Sequence, residues 1–69
     1  MRIQLSEVEL VEDLLAALRE RRDCIAIRVG DAIEAAMVGS FADGGARELD
    51  ALVRGWKVEH PAVKVVLDA

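Results

Sequence analysis

Apolar residues in this chain change period in a fixed order, and few folds accept that order. Val8, Val11, Leu14, Leu15 and Leu18 recur at helical spacing, as do Leu49, Leu52, Val53 and Trp56. Around these two stretches lie four short runs that alternate with period two: Ile3 and Leu5; Ile25, Ile27 and Val29; Ile33, Ala35 and Met37; Val63, Val65 and Leu67. The pattern reads β-α-β-β-α-β over residues 1–69, a single small α/β domain. With right-handed crossovers it predicts an α+β, ferredoxin-like arrangement: a four-stranded antiparallel sheet with two helices on one face. That architecture hosts many unrelated activities, so function must come from particular residues.

Local signals refine the elements. Ser6-Glu7-Val8-Glu9 has the form of a capping box, and Leu5 and Leu10 flank it as a hydrophobic staple. Glu7, Glu9, Glu12 and Asp13 precede Arg19, Arg21 and Arg22, the order that the helix dipole favours. Gly30-Asp31 separates two alternating runs and reads as a hairpin turn. Residues opposed in a hairpin share a face, and a two-residue loop would set Arg28 against Ile33. A three-residue loop of Val29, Gly30 and Asp31 keeps Ile27 with Ile33, so an odd-numbered loop is expected. That register turns Cys24, Ala26 and Arg28 away from the helices.

Composition narrows the setting. At 69 residues the core is small, and with 54% hydrophobic but only 3% aromatic residues it must be built mainly from aliphatic side chains. A net charge of -4 opposes a sequence-independent grip on phosphate backbones, so nucleic acid is not an expected partner. Cys24 is the single cysteine, which rules out an intrachain disulfide and suits a reducing, cytoplasmic compartment. The N-terminus has no long apolar run of the kind a signal peptide or membrane span needs, so no membrane association is expected. The run from Met1 to the fourth strand reads as a complete chain.

Most chemistry is short of the residues it needs. The only aromatics, Phe41 and Trp56, lie in a loop and a helix, which leaves no strand platform for stacking bases. Cysteine pairs for a metal are absent, and so is any asparagine to position a water. Cys24 and His60 belong to opposite poles of the expected fold, too far apart to act as nucleophile and base. No catalytic residue, metal ligand or cofactor is therefore assigned. Cys24 reads as a small filler, and His60 as a helix-end residue beside Pro61.

Two candidate sites remain. The sheet face away from the helices places small or apolar groups centrally and charges toward the margins, the layout of an interface. Ala26, Arg28, Glu34, Ala36, Val38 and Val66 are its expected interface residues. The reading it supports is a noncatalytic protein-interaction or oligomerisation module that forms a homodimer or docks on a larger protein. The alternative is a regulatory domain binding a small anion or metabolite at the Gly39–Gly45 loop, where the start of helix two offers free N–H groups. Arg19, Arg21, Arg22, Gly44 and Gly45 would form that site, although Asp43 is placed to cap the helix and would repel an anion.

Overall fold

The computed structural model describes residues 1–39 and 45–68. In chain order they form β1 (Arg2–Leu5), a 3₁₀ turn (Val8–Leu10), α1 (Val11–Arg19), β2 (Cys24–Val29), β3 (Ala32–Met37), α2 (Ala46–Val58) and β4 (Val65–Asp68). The strands make one antiparallel sheet in the order β2-β3-β1-β4, so the protein is α+β with four strands and two helices. Ile3 lies centrally, opposite Ile33 on one side and Leu67 on the other.

The core is aliphatic, as the composition requires. Val11, Leu14, Leu15 and Leu18 of α1, together with Leu49, Val53 and Trp56 of α2, bury against Ile3, Ile33, Ala35 and Met37. Helix α1 lies chiefly over β2 and α2 over β3. This is the outcome expected for two amphipathic helices whose apolar stripes must leave water. Val8 departs from the expected stripe and is half exposed, because it sits in the 3₁₀ turn before the α-helical period begins.

The capping box does not form. Neither helical segment at this end has a side-chain cap, and the Ser6 hydroxyl instead accepts a hydrogen bond from the Lys64 backbone N–H at 3.0 Å. The Ser6 N–H donates to the Lys64 carbonyl at 2.9 Å, so Ser6 extends the β1–β4 ladder by one step. A partner 58 positions away in sequence outcompetes the local one. Helix α2 ends where expected: the N–H groups of Glu59 and His60 tighten onto the Trp56 and Lys57 carbonyls just before Pro61, which has no N–H to offer.

The hairpin corrects the expected register. Val29 pairs with Ala32, so the loop has two residues, Gly30 and Asp31, and Arg28 stands opposite Ile33. Gly30 has φ of 61° while Asp31 does not enter the left-handed region, which fits a turn with glycine at its first central position. Every side chain of β2 is thereby inverted. Cys24 and Ala26 point under α1 and are 8% and 5% exposed, whereas Ile25, Ile27 and Val29 face solvent. Volume explains the choice: Leu14, Leu15, Leu18 and Ile33 already fill the space beneath α1, which accepts cysteine and alanine on β2. Arg28 shares the inner parity but lies at the end of the strand, where it reaches out to Glu12 of α1 at 2.9 Å.

Candidate functional site

The inverted strand changes the open face of the sheet. Ala26 and Arg28, expected there, lie on the helix side instead. Glu34, Ala36, Val38 and Val66 stand on the open face. Ile25, Ile27 and Val29 join them, and with Val38 and Val66 they are 44% to 60% exposed. Three consecutive outward positions of β2 are thus β-branched aliphatics in water. Toward β1 and β4 the same face becomes polar with Arg2, Gln4 and Asp68, which are aligned in register with Glu34 and Val66.

Charge on the apolar side of the face is restrained. Glu34 is opposed by Ile27 on one side and Arg2 on the other, and Arg2 Nε donates to its Oε1 at 2.7 Å. Of the carboxylates bordering the aliphatic band, Glu34 is thus neutralised from the polar side, and Asp23, opposite Val38, is held by Arg21. A shallow groove of about 280 Å³ runs beside this pair, lined by Met1, Ile25, Ile27, Glu34, Ala35 and Ala36. A second groove, of about 390 Å³, lies at the hairpin end and involves Arg2, Gln4, Val29 and Ala32. Both are open and carry no paired acid and base.

Only part of the pole expected for an anion falls within the described residues. Gly44 and the capping role of Asp43 lie outside the described residues. Gly45 is the N-cap of α2, with φ of 84°, a conformation that suits glycine. Arg19 Nε donates to the Ala26 carbonyl on the free edge of β2 at 3.0 Å. Arg21 is held by Asp23 through two contacts of 3.1 Å. That hydrogen bond lowers the Asp23 carboxyl below the usual range and raises the Arg21 guanidinium further. Two of the three guanidinium groups are thus committed within the chain.

His60 and Cys24 are separated, as the fold order implied. Cys24 is buried in the core, and burial, assisted by the neighbouring Asp23 charge, pushes its thiol pKa up. His60 stacks on Trp56 with ring centroids 4.1 Å apart. Its Nδ1 lies 3.1 Å from the Trp56 carbonyl, which can only accept. Nε2 faces Asp13 at 3.6 Å, and the Trp56 indole N–H donates to the same carboxylate at 2.7 Å. This cluster clasps the start of α1 to the end of α2, and among the described residues no hydroxyl or thiol takes part in it.

No family model, no curated protein and no solved structure matches it. Among the described residues, no group of three or more His, Cys, Asp or Glu could hold a metal ion, and no helix is long and apolar enough to cross a membrane. The site with a definite physical character is the open sheet face. Sequence reasoning missed Ile25, Ile27 and Val29 as its members because it assigned the larger aliphatics of β2 to the core. The signal that could have found them is Gly30-Asp31 itself, a dipeptide suited to a two-residue turn.

Proposed function

We propose that this protein is a noncatalytic interaction module whose working surface is the open face of its sheet. The observation that carries this reading is the band of Ile25, Ile27, Val29 and Val38, left half exposed on a face that also includes Ala36. A monomer that only needed a solvated sheet would gain by placing polar side chains at these outward positions. Contiguous aliphatic groups with charges toward one margin instead resemble the centre and rim of a binding surface. The strand order β2-β3-β1-β4, with both helices packed on the opposite face, supports reading the scaffold as ferredoxin-like. A lone buried thiol supports a cytoplasmic setting.

The test is a photo-crosslinking amino acid placed at Ile27 in cells that naturally make the protein, with Glu12 on the exposed face of α1 as the control position. The expected result is a discrete adduct from position 27 and none from position 12. Equal labelling at both positions, or no adduct at position 27, overturns the proposal.

A further inference from the structure

We propose that the free edge of β4 takes an extended segment of a partner protein, with an acid among its inward side chains, as a further strand beside the groove between β4 and α2. This site is separate from the open face and does not rest on that reading. Strand register shows which backbone groups are on offer. Met1 and Ala35 exchange both backbone bonds, so Met1, Ile3 and Leu5 turn their polar groups toward β3. Arg2, Gln4 and Ser6 turn theirs toward β4, where the Ser6 N–H meets the Lys64 carbonyl. On β4, therefore, Lys64, Val66 and Asp68 face β1, and the N–H and C=O groups of Val65 and Leu67 point off the sheet. Among the described residues nothing pairs with them. The β2 edge differs, since Arg19 Nε takes its Ala26 carbonyl.

Side chains turn this edge into a groove. Leu67 opposes the buried Ile3 and shares its inward face, as does Val65 two residues earlier. Both are half-buried, because α2 lies chiefly over β3 and leaves the inner side of β4 partly uncovered. Between them and Asp50, Val53, Arg54 and Lys57 of α2 runs a groove of about 240 Å³. Residues opposed across an antiparallel pair share a face, so partner residues set against Val65 and Leu67 drop their side chains into this groove. A neighbouring groove shares Arg54 and Lys57 and reaches Val58 and Pro61. Val58 is 77% exposed, more than any other large aliphatic among the described residues. Main-chain bonds to the edge supply affinity, and the alternate side chains supply selectivity.

Charge selects the occupant. The chain carries net charge -4, yet two cations and one carboxylate line this groove, and Asp50 already accepts from Arg54 Nε at 2.9 Å. Lys57 has no carboxylate partner among the described residues. An acidic side chain entering from the added strand supplies one. A second copy adding its own β4 would bring another Arg54 and Lys57 to the seam, on a chain whose net charge repels its like. The segment therefore belongs to a different protein.

The probe is the end-blocked peptide Thr-Val-Thr-Glu-Thr-Val-Thr, titrated into isotope-labelled protein to about 1 mM, a range suited to small, weak interfaces. Backbone amide NMR should show Val65 and Leu67 shifting, with their hydrogen exchange slowed at least about fivefold at the highest concentration as new bonds form. A peptide with lysine in place of the glutamate should bind at least about tenfold more weakly, roughly 1.4 kcal/mol. Lys57→Glu should weaken the parent peptide by a similar factor and leave the thermal melt unchanged. N-methylation of the glutamate and both valines keeps the side chains but deletes the donors, and should abolish the protection.

Unprotected Val65 and Leu67 amides with peptide present, equal binding of the lysine peptide, or indifference to Lys57→Glu or to N-methylation each overturns the proposal. Amides at these positions that are already protected in a protein of two-chain mass assign the edge to a second copy, which also overturns it. Shifts confined to Ile25, Ile27 and Val29 overturn this site and leave the open-face reading standing. A missing adduct at position 27 removes the open-face reading and leaves this one.

Discussion

Cys24 shows how one buried side chain couples position to reactivity. Its thiol lies under α1, and burial holds its pKa above the ordinary value. Only the thiolate attacks an alkylating reagent, so native protein at neutral pH should react with iodoacetamide far more slowly than a free cysteine. Modification should follow unfolding, as measured by mass spectrometry across a urea series; labelling of the folded protein at the free-cysteine rate would contradict the burial. The sign of the linkage follows. A thiol whose folded pKa is raised contributes stability below its unfolded pKa, and loses that contribution as pH climbs toward the folded value. The urea midpoint should therefore fall on the alkaline side, and in Cys24→Ala that part of the slope should vanish. At the other pole, Trp56→Phe keeps the ring but deletes the donor to Asp13. Its expected cost is about 1–2 kcal/mol, below the upper range for bonds to charged groups because Asp13 is partly solvated. Equilibrium denaturation measures it directly.

At the level of elements, the β2–β3 hairpin decides which residues the protein shows to its surroundings. Gly30 holds a positive φ and has no heavy atom near the place a Cβ would occupy, so Gly30→Ala is opposed by backbone conformation alone. The substitution should destabilise by about 1–2 kcal/mol, and Gly30→Asn by less, since asparagine tolerates the left-handed region. A thermal melt of the two variants would separate this effect from packing, which predicts no difference between them.

The same hairpin marks where the sequence stops being legible. Both helices, all four strands, the inner parities of β3 and β4 and the end of α2 follow from periodicity and breakers, because each is a local property of the chain. The face of β2 does not. Period two yields two sets of residues but leaves open which set is buried, and the rule that larger aliphatics go inward fails where α1 already fills the space. Ser6 illustrates the same limit: its capping signal is local, but its partner on Lys64 is brought near only by the finished sheet. The open face was therefore legible as a location and only partly in membership, with Glu34, Ala36, Val38 and Val66 placed on it and Ala26 and Arg28 misplaced.

For the whole molecule, a small aliphatic core implies marginal stability, and any state that covers more surface matters in proportion. A partner that covers the open face favours the folded form by mass action, by about 2.7 kcal/mol at a free concentration of 100 Kd. For a domain this size each 1 kcal/mol raises Tm by roughly 4–8 °C. Calorimetry with and without the partner crosslinked at position 27 measures that shift, and a Tm indifferent to that partner would contradict the interaction reading.

The clasp between the helices has a practical consequence. Trp56 is the sole tryptophan, the chain has no tyrosine, and the indole donates a hydrogen bond to Asp13 that exists only when α1 and α2 are docked together. The protein thus carries its own optical label at the junction of its two helices, on the side of the sheet away from the apolar band. Emission from that one ring reports whether the helices are seated, and it should stay silent when the opposite face is covered or bare. Folding and assembly can therefore be followed as separate signals in the same unmodified sample, one by colour and the other by mass.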